Sequence, residues 1–267
     1  LALSRSAAVT ATNAAVHYDN ADAINAVGVR PDLAAAFPPC ARCPRAQFTL
    51  RIPAGEYAIG EEIFIQKRPG VTLQGAGETA TTLFSPRGTP SAQVQFYESP
   101  GGTVQDLHLR GNARAEGYGL RWWSYQGDVA DELVTQTNVP QGWGLPSGIL
   151  FRLSGDSTAR NVRVSDVFQR GLGAAYADNV WGRNVRVVST DGVLDYTGWQ
   201  IQWSDARGGG CVDCSFTSPK LTSAFESFKS EGTQFVRAAS TNGAFAMNDA
   251  CNFLVQDSTI VVTAASE

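Results

Sequence analysis

From Gln47 onward the chain is a succession of short apolar and β-branched stretches punctuated by Gly, Asn and Asp. Phe48-Thr-Leu-Arg-Ile-Pro53-Ala-Gly55-Glu-Tyr57 reads as a strand, a turn and a second strand, and Ile63-Phe-Ile65, Val71-Thr-Leu73 and Thr81-Thr-Leu-Phe84 continue the series. In the later half one phrase recurs: Asn161-Val-Arg-Val164, Asn184-Val-Arg-Val187, Cys211-Val-Asp-Cys214, Phe235-Val-Arg-Ala238 and Phe253-Leu-Val255, with starts 18 to 27 residues apart. Val104-Gln-Asp-Leu107-His-Leu109 is an earlier relative. Between the phrases lies a second strand, over Leu172–Tyr176, Trp199–Trp203, Phe225–Phe228 and Ala244–Met247. Alternation places Val162 and Val164 inward with Arg163 outward, and Val185 and Val187 inward with Arg186 outward. A period of roughly 20–30 residues with several short strands each is the mark of a solenoid, in which one coil buries its apolar side only against the next. A β-sandwich is the structural alternative, but its hairpins favour dipeptides of the Asn-Gly kind, and only Asn242-Gly243 qualifies.

The start of the chain differs. Residues 1–46 are read as an Ala-rich arm and capping segment, with a short helix expected over 22–29 before Pro38-Pro39. Residues 47–267 form the solenoid, interrupted by a long insertion at about 113–148. Asp19-Asn-Ala-Asp22-Ala-Ile24-Asn25, then Ile52-Pro53-Ala-Gly55-Glu-Tyr57, then Val71-Thr-Leu73-Gln-Gly75-Ala-Gly77 resemble the opening of the pectate-lyase-superfamily domain, of the pectin-lyase-like superfamily. The resemblance covers roughly residues 19–260. It implies an all-β, single-stranded right-handed parallel β-helix with a short N-terminal capping helix. It also implies a secreted or extracytoplasmic protein acting on a polysaccharide or oligosaccharide in a groove on one outer face. The superfamily holds lyases, hydrolases, epimerases, tailspikes and non-catalytic proteins, so the fold alone does not choose among them.

Composition narrows the partners. Hydrophobic residues make up 43% of the chain and charged ones 17%, with a net charge of −4, which leaves no basic footprint for nucleic acid. No apolar run approaches the roughly 18–20 residues of a membrane helix. Of the five cysteines, Cys40 and Cys43 are expected to close a loop disulfide in a Pro-rich turn, with others among Cys211, Cys214 and Cys251 buried as small apolar residues.

Candidate chemistry gathers in two places. The insertion carries Trp122, Trp123, Tyr125 and Trp143, flat rings suited to the apolar faces of sugars or, equally, to pinning the loop onto the solenoid. The run from Asp191 to Asp205 places Asp191, Asp195 and Tyr196 between two strands, and Gln200 and Gln202 are expected to project outward together. Neighbouring coils would add Asp166 and Arg170 on one side and Lys220, Glu226, Lys229 and Glu231 on the other, about 4.8 Å per coil. An inverting glycosidase needs two carboxyl groups roughly 6.5–9.5 Å apart, which Asp191 and Asp195 could form with Asp166 or Glu226. A uronate lyase needs a cation and a base, for which Arg170, Lys220, Lys229 and Tyr196 are the candidates.

Ser227-Phe-Lys229-Ser230 is similar to the Ser-x-Lys-Ser strand of alginate and chondroitin lyases of this fold. The Arg-His-Gly that follows there is absent, with Ala246-Met247-Asn248 in its place. The Asp-Asp and Gly-His-Gly pattern of galacturonases is missing as well. With only His17 and His108 present, and His108 read as a surface strand residue, a histidine-centred mechanism is not expected. No cofactor is expected; stacked corner carboxylates could bind calcium, although no Asp-x-Asp spacing supports it. The leading expectation is a glycoside hydrolase ahead of a uronate lyase. Its rivals are a non-catalytic glycan-binding or adhesive β-helix, and an isomerase, epimerase or small-molecule tailoring enzyme with a closed apolar pocket.

Overall fold

The computed structural model describes residues 9–12, 17–18, 48–59, 63–85, 92–111, 147–167, 170–190 and 200–263. Within them the short apolar phrases stack in parallel, coil upon coil, into three sheet faces. The first face comprises β5 (Ile63–Gln66), β8 (Ala92–Tyr97), β10 (Ser147–Arg152), β12 (Arg170–Ala175), β14 (Ile201–Ser204) and the later parts of β16 (Ser215–Phe228) and β18 (Ala239–Asn248). The second face holds β3 (Phe48–Arg51), β6 (Val71–Gln74), β15 (Gly209–Val212), β17 (Gln234–Val236) and β19 (Leu254–Gln256). It also takes the early parts of β9 (Thr103–Arg110), β11 (Thr158–Ser165) and β13 (Val180–Val188). The third face takes the remaining halves of those long strands with β4 (Gly55–Ala58), β7 (Thr81–Phe84) and β20 (Thr259–Val261). Among the described residues the antiparallel pairings are those of β1 (Val9–Thr12) with β2 (His17–Tyr18) and with β3 at the N-terminal end.

Register makes the core. On the first face Val94, Ile149, Leu172, Ile201 and Phe225 stack in one inward row, and Phe96, Phe151, Ala174 and Trp203 in the next, each at most 2% exposed. Burying one such large side chain stabilises the fold by roughly 1.5–3 kcal/mol. The expected alternation holds, with Val162, Val164, Val185 and Val187 inside and Arg163 and Arg186 outside.

The corners are as regular as the strands. Between the first and second faces, Lys67, Glu98, Leu153, Tyr176, Asp205, Lys229 and Asp249 all take φ near +50°. The amides of the first six donate to the residue that ends the first-face strand of the next coil, as Tyr176 does to the Ser204 carbonyl at 3.0 Å. Between the second and third faces, Asp106, Asn161, Asn184, Asp213 and Arg237 share that conformation. There Asn184 donates to Asn161 at 3.1 Å and Asn161 to Asp106 at 3.0 Å, forming a ladder of side-chain amides.

One expectation changes here. Cys211 and Cys214 form a disulfide inside the solenoid, both buried, so they are not free apolar thiols. Their sulfurs lie where a Gly182 side chain would otherwise sit, which explains how a bulky pair fits the core. Cys251 is exposed and unpaired. Cys40, Cys43, the helix expected over 22–29 and nearly all of the insertion expected at 113–148 lie outside the described residues.

Candidate functional site

The outward row of the first face runs Phe64, Gln95, Leu150, Gly173, Gln202, Glu226, Ala246 from coil to coil. Although it points away from the core, Gln95 is 2%, Leu150 3%, Gln202 8% and Glu226 3% exposed. A carboxyl group has thus been carried out of water on a face that an ordinary solenoid would leave wet. Gln202 and Glu226 are stacked partners in register, and the Gln202 Nε2 donates to Glu226 Oε2. Asn248, one coil further on, donates from Nδ2 to Glu226 Oε1 at 2.6 Å.

Burial pushes the Glu226 carboxyl above the usual carboxylate range, outweighing the hydrogen bonds from Asn248 and Gln202 and the attraction of Arg170, all of which favour the charged form. The Oε1 of Gln202 has no hydrogen-bond partner among the described residues. A proton on Glu226 would therefore find an acceptor if the Gln202 amide turned over, so the site can hold this residue in either protonation state.

Arg170 opens β12, and its side chain folds back along that strand. A Cβ built on Gly173 would lie 3.2 Å from Arg170 Cδ and 3.2 Å from Leu150 Cδ1. The gap in the outward row at Gly173 is thus occupied by the Arg170 stem, beside Gln202 of the next coil.

The sequence-predicted residues divide as follows. Arg170, Gln202 and Glu226 come together on one face. Gln200 does not join them: it is fully buried, and its carbonyl accepts the Gly171 and Leu172 amides at 2.7 and 3.0 Å where the chain enters the sheet. Outward alternation starts only at Gln202, which corrects the expectation that both glutamines project from the sheet. Lys229 sits on the corner, exposed, with its ammonium 5.1 Å from the Phe228 ring centroid. Asp191, Asp195, Tyr196, Trp122, Trp123, Tyr125 and Trp143 lie outside the described residues. Asp166 and Asp178 act as corner residues: Asp166 Oδ1 accepts the Thr190 amide at 2.8 Å and Asp178 Oδ1 the Arg207 amide at 2.9 Å. No group of three or more His, Cys, Asp or Glu residues converges to hold a metal among the described residues.

Asn248 and Gly173 are the residues that sequence reasoning missed. The stacking of Phe228 on Asn248 would have exposed the first, because Asn248 is then one coil from the Glu226 strand. Gly173 carried no chemical signal of its own.

His108 lies on the third face, away from this cluster, stacked between Thr82 and Arg163. Its Nε2 is 2.8 Å from Ser165 Oγ, and partial burial, with Arg163 and Arg110 nearby, lowers its pKa to about 4.

No protein-family model matches the chain, and no curated protein matches it. Solved structures do. The catalytic domain of a GH87 α-1,3-glucanase variant in complex with nigerose aligns with a TM-score of 0.57 and 18% identity, over 79% of this chain and 34% of the other. A second variant of that domain, in complex with tetrasaccharides, aligns at 0.55. A pectin methylesterase in complex with a hexasaccharide aligns with a TM-score of 0.51 and 10% identity, over 89% of this chain and 86% of the other. The chain spans about a third of the length of the glucanase structures it matches. At these identities the likeness is one of fold, and together with the parallel register and three-faced coil it shows that the chain is a right-handed parallel β-helix.

Proposed function

We propose that the chain is a secreted carbohydrate-active enzyme that hydrolyses a polysaccharide lying along the first face, with Glu226 as general acid. One observation carries the reading: an outward-facing carboxyl group that is buried, raised in pKa and held at both oxygens by side-chain amides. A general acid must keep its proton near working pH and hold a fixed direction toward the leaving oxygen, and this environment favours both. Asp191 and Asp195 precede β14 in the chain, and we take one of them as the second carboxylate that activates water. Gln202, Asn248 and Arg170 hold and tune the acid. Trp122, Trp123, Tyr125 and Trp143 are proposed to stack on sugar rings. The two kinds of protein aligned above were solved with saccharides bound, which agrees with a carbohydrate ligand here.

Elimination is disfavoured because Lys229, one of the candidate bases with Arg170, Lys220 and Tyr196, stands on the corner against Phe228. A non-catalytic, glycan-binding role is the second reading, favoured by the occupation of both Glu226 oxygens.

Incubation with a panel of neutral and acidic glycans separates these readings. Hydrolysis produces reducing ends without the absorbance near about 235 nm that marks the unsaturated product of proton abstraction. Glu226→Gln is expected to lower turnover by about 10²–10⁴-fold while saccharide binding persists. Binding without product from any glycan would establish the second reading, and a fully active Glu226→Gln would remove Glu226 from the chemistry.

A further inference from the structure

The corner between the first and second faces requires a left-handed residue in every coil, yet its occupants are not equally suited to it. Asp205 and Asp249 tolerate such a backbone, because a short polar side chain can hydrogen-bond locally. Leu153 and Tyr176 do not, since a large side chain with positive φ is strained. These same two residues are 44% and 56% exposed, so core packing does not explain their size. They lie in adjacent coils, because the strand ends before them, Arg152 and Ala175, are in register.

Beside them is an open recess of about 480 Å³, lined by Leu153, Gly155, Tyr176, Asp178, Asp205 and Arg207. Asp178 is fixed by the Arg207 amide, which bonds its Oδ1 at 2.9 Å. The recess adjoins the first face: Tyr176 follows Ala175, whose register partner Ser204 is two residues beyond Gln202.

We propose that this recess is a glycan-binding subsite for a neutral pyranose, separate from the Glu226 centre. The exposed phenol ring, with Leu153 beside it, takes the apolar face of the sugar. Asp178 and Asp205 accept from ring hydroxyls and Arg207 donates to them. Two carboxylates against one guanidinium leave the lining net negative, which selects against uronate and sulfated glycans. Strain at exposed residues marks function when nothing else accounts for it.

The test uses the full chain and titration calorimetry with neutral gluco-, manno- and galacto-oligosaccharides, and with oligogalacturonate as the acidic probe. Wild type is expected to bind at least one neutral probe and to bind oligogalacturonate more weakly through this surface. Tyr176→Asn removes the ring but suits the corner backbone, so its melting temperature should equal or exceed that of wild type while affinity falls about tenfold. Tyr176→Phe should stay within about twofold of wild type. Unchanged affinity in Tyr176→Asn, or no binding of any neutral probe by wild type, would overturn the subsite. Loss of turnover in Glu226→Gln is read separately, so failure of one assignment does not imply failure of the other.

Discussion

Glu226 and His108 respond to protons in opposite senses, and each makes stability depend on pH in a window of its own. The folded chain holds the Glu226 carboxyl above its ordinary value of 4.5, so it binds that proton more tightly than the unfolded chain does. Stability is therefore greatest below about 4.5 for this group and falls as pH rises through the folded value. Glu226→Gln removes that slope. The neutral amide fits because the Gln202 and Asn248 amides can each turn to meet a donor or an acceptor. His108 is held down, to about 4 from 6.5, so the unfolded chain takes up a proton that the folded chain refuses. Its contribution is complete above about 6.5 and is lost as pH falls toward 4. The full shift corresponds to about 3 kcal/mol, and solvent around a partly covered ring reduces it to about 1–2 kcal/mol. His108→Gln should flatten the acid side of a denaturation-midpoint profile between about pH 6.5 and 4. An unaltered profile would show that the ring titrates normally.

At the scale of strands and corners, glycine positions separate conformational need from close packing. Gly208, with φ +63°, has open space where a side chain would go, whereas Gly210 in β15, with φ +138°, would drive a Cβ into the Gln234 carbonyl. Gly208→Asn is expected to be nearly neutral, and Gly210→Ala to cost about 3 kcal/mol or more, both read as denaturant midpoints at constant m-value. Equal effects would mean that coil spacing at β15 and β17 is looser than the structure has it. The strands themselves were legible in the sequence, because Asn161-Val-Arg-Val164 and Asn184-Val-Arg-Val187 repeat an inside-outside alternation that one sheet register satisfies. The corners were partly legible as Asn and Asp at fixed places in that phrase. The grouping of Gln202, Glu226 and Arg170 was legible, because the same register brings polar residues of successive coils together. It failed at Gln200, which lies just before β14 and does not share its outward alternation, and at Lys229, which follows the strand and which the backbone turns into an exposed corner. Short-range pattern does not encode where a strand stops, because that is decided by the hydrogen bonds of the coil beneath.

Across the whole molecule the core changes character along the solenoid axis. Toward the N-terminal end it is mainly aliphatic, with Leu50, Ile52, Ile63, Leu73 and Leu83 almost fully buried. Toward the other end, Trp203, Phe225, Phe235 and Phe245 form a ring cluster with centroids 4.6 to 5.9 Å apart, and Phe235 touches the other three. Beyond it every residue of β19 and β20 is exposed. A coil in a solenoid is stabilised by its own pairing and by contact with its neighbours alone, so opening of the exposed β19 and β20 should stop where neighbour contact becomes strong. The aromatic cluster is that stopping point. Amide hydrogen exchange is expected to be fast in β19 and β20, intermediate in β17, and slowest in β11 and β13, which are paired with strands on both sides. Phe235→Ala leaves a large void between Trp203, Phe225 and Phe245, and should cost about 3–5 kcal/mol. Because the loss falls on one interface, it should also speed exchange in β15 through β18 while leaving β6 and β9 unchanged. A uniform rise in exchange along the whole chain would instead mean that the solenoid opens as one cooperative unit, with the aromatic cluster coupled to every coil.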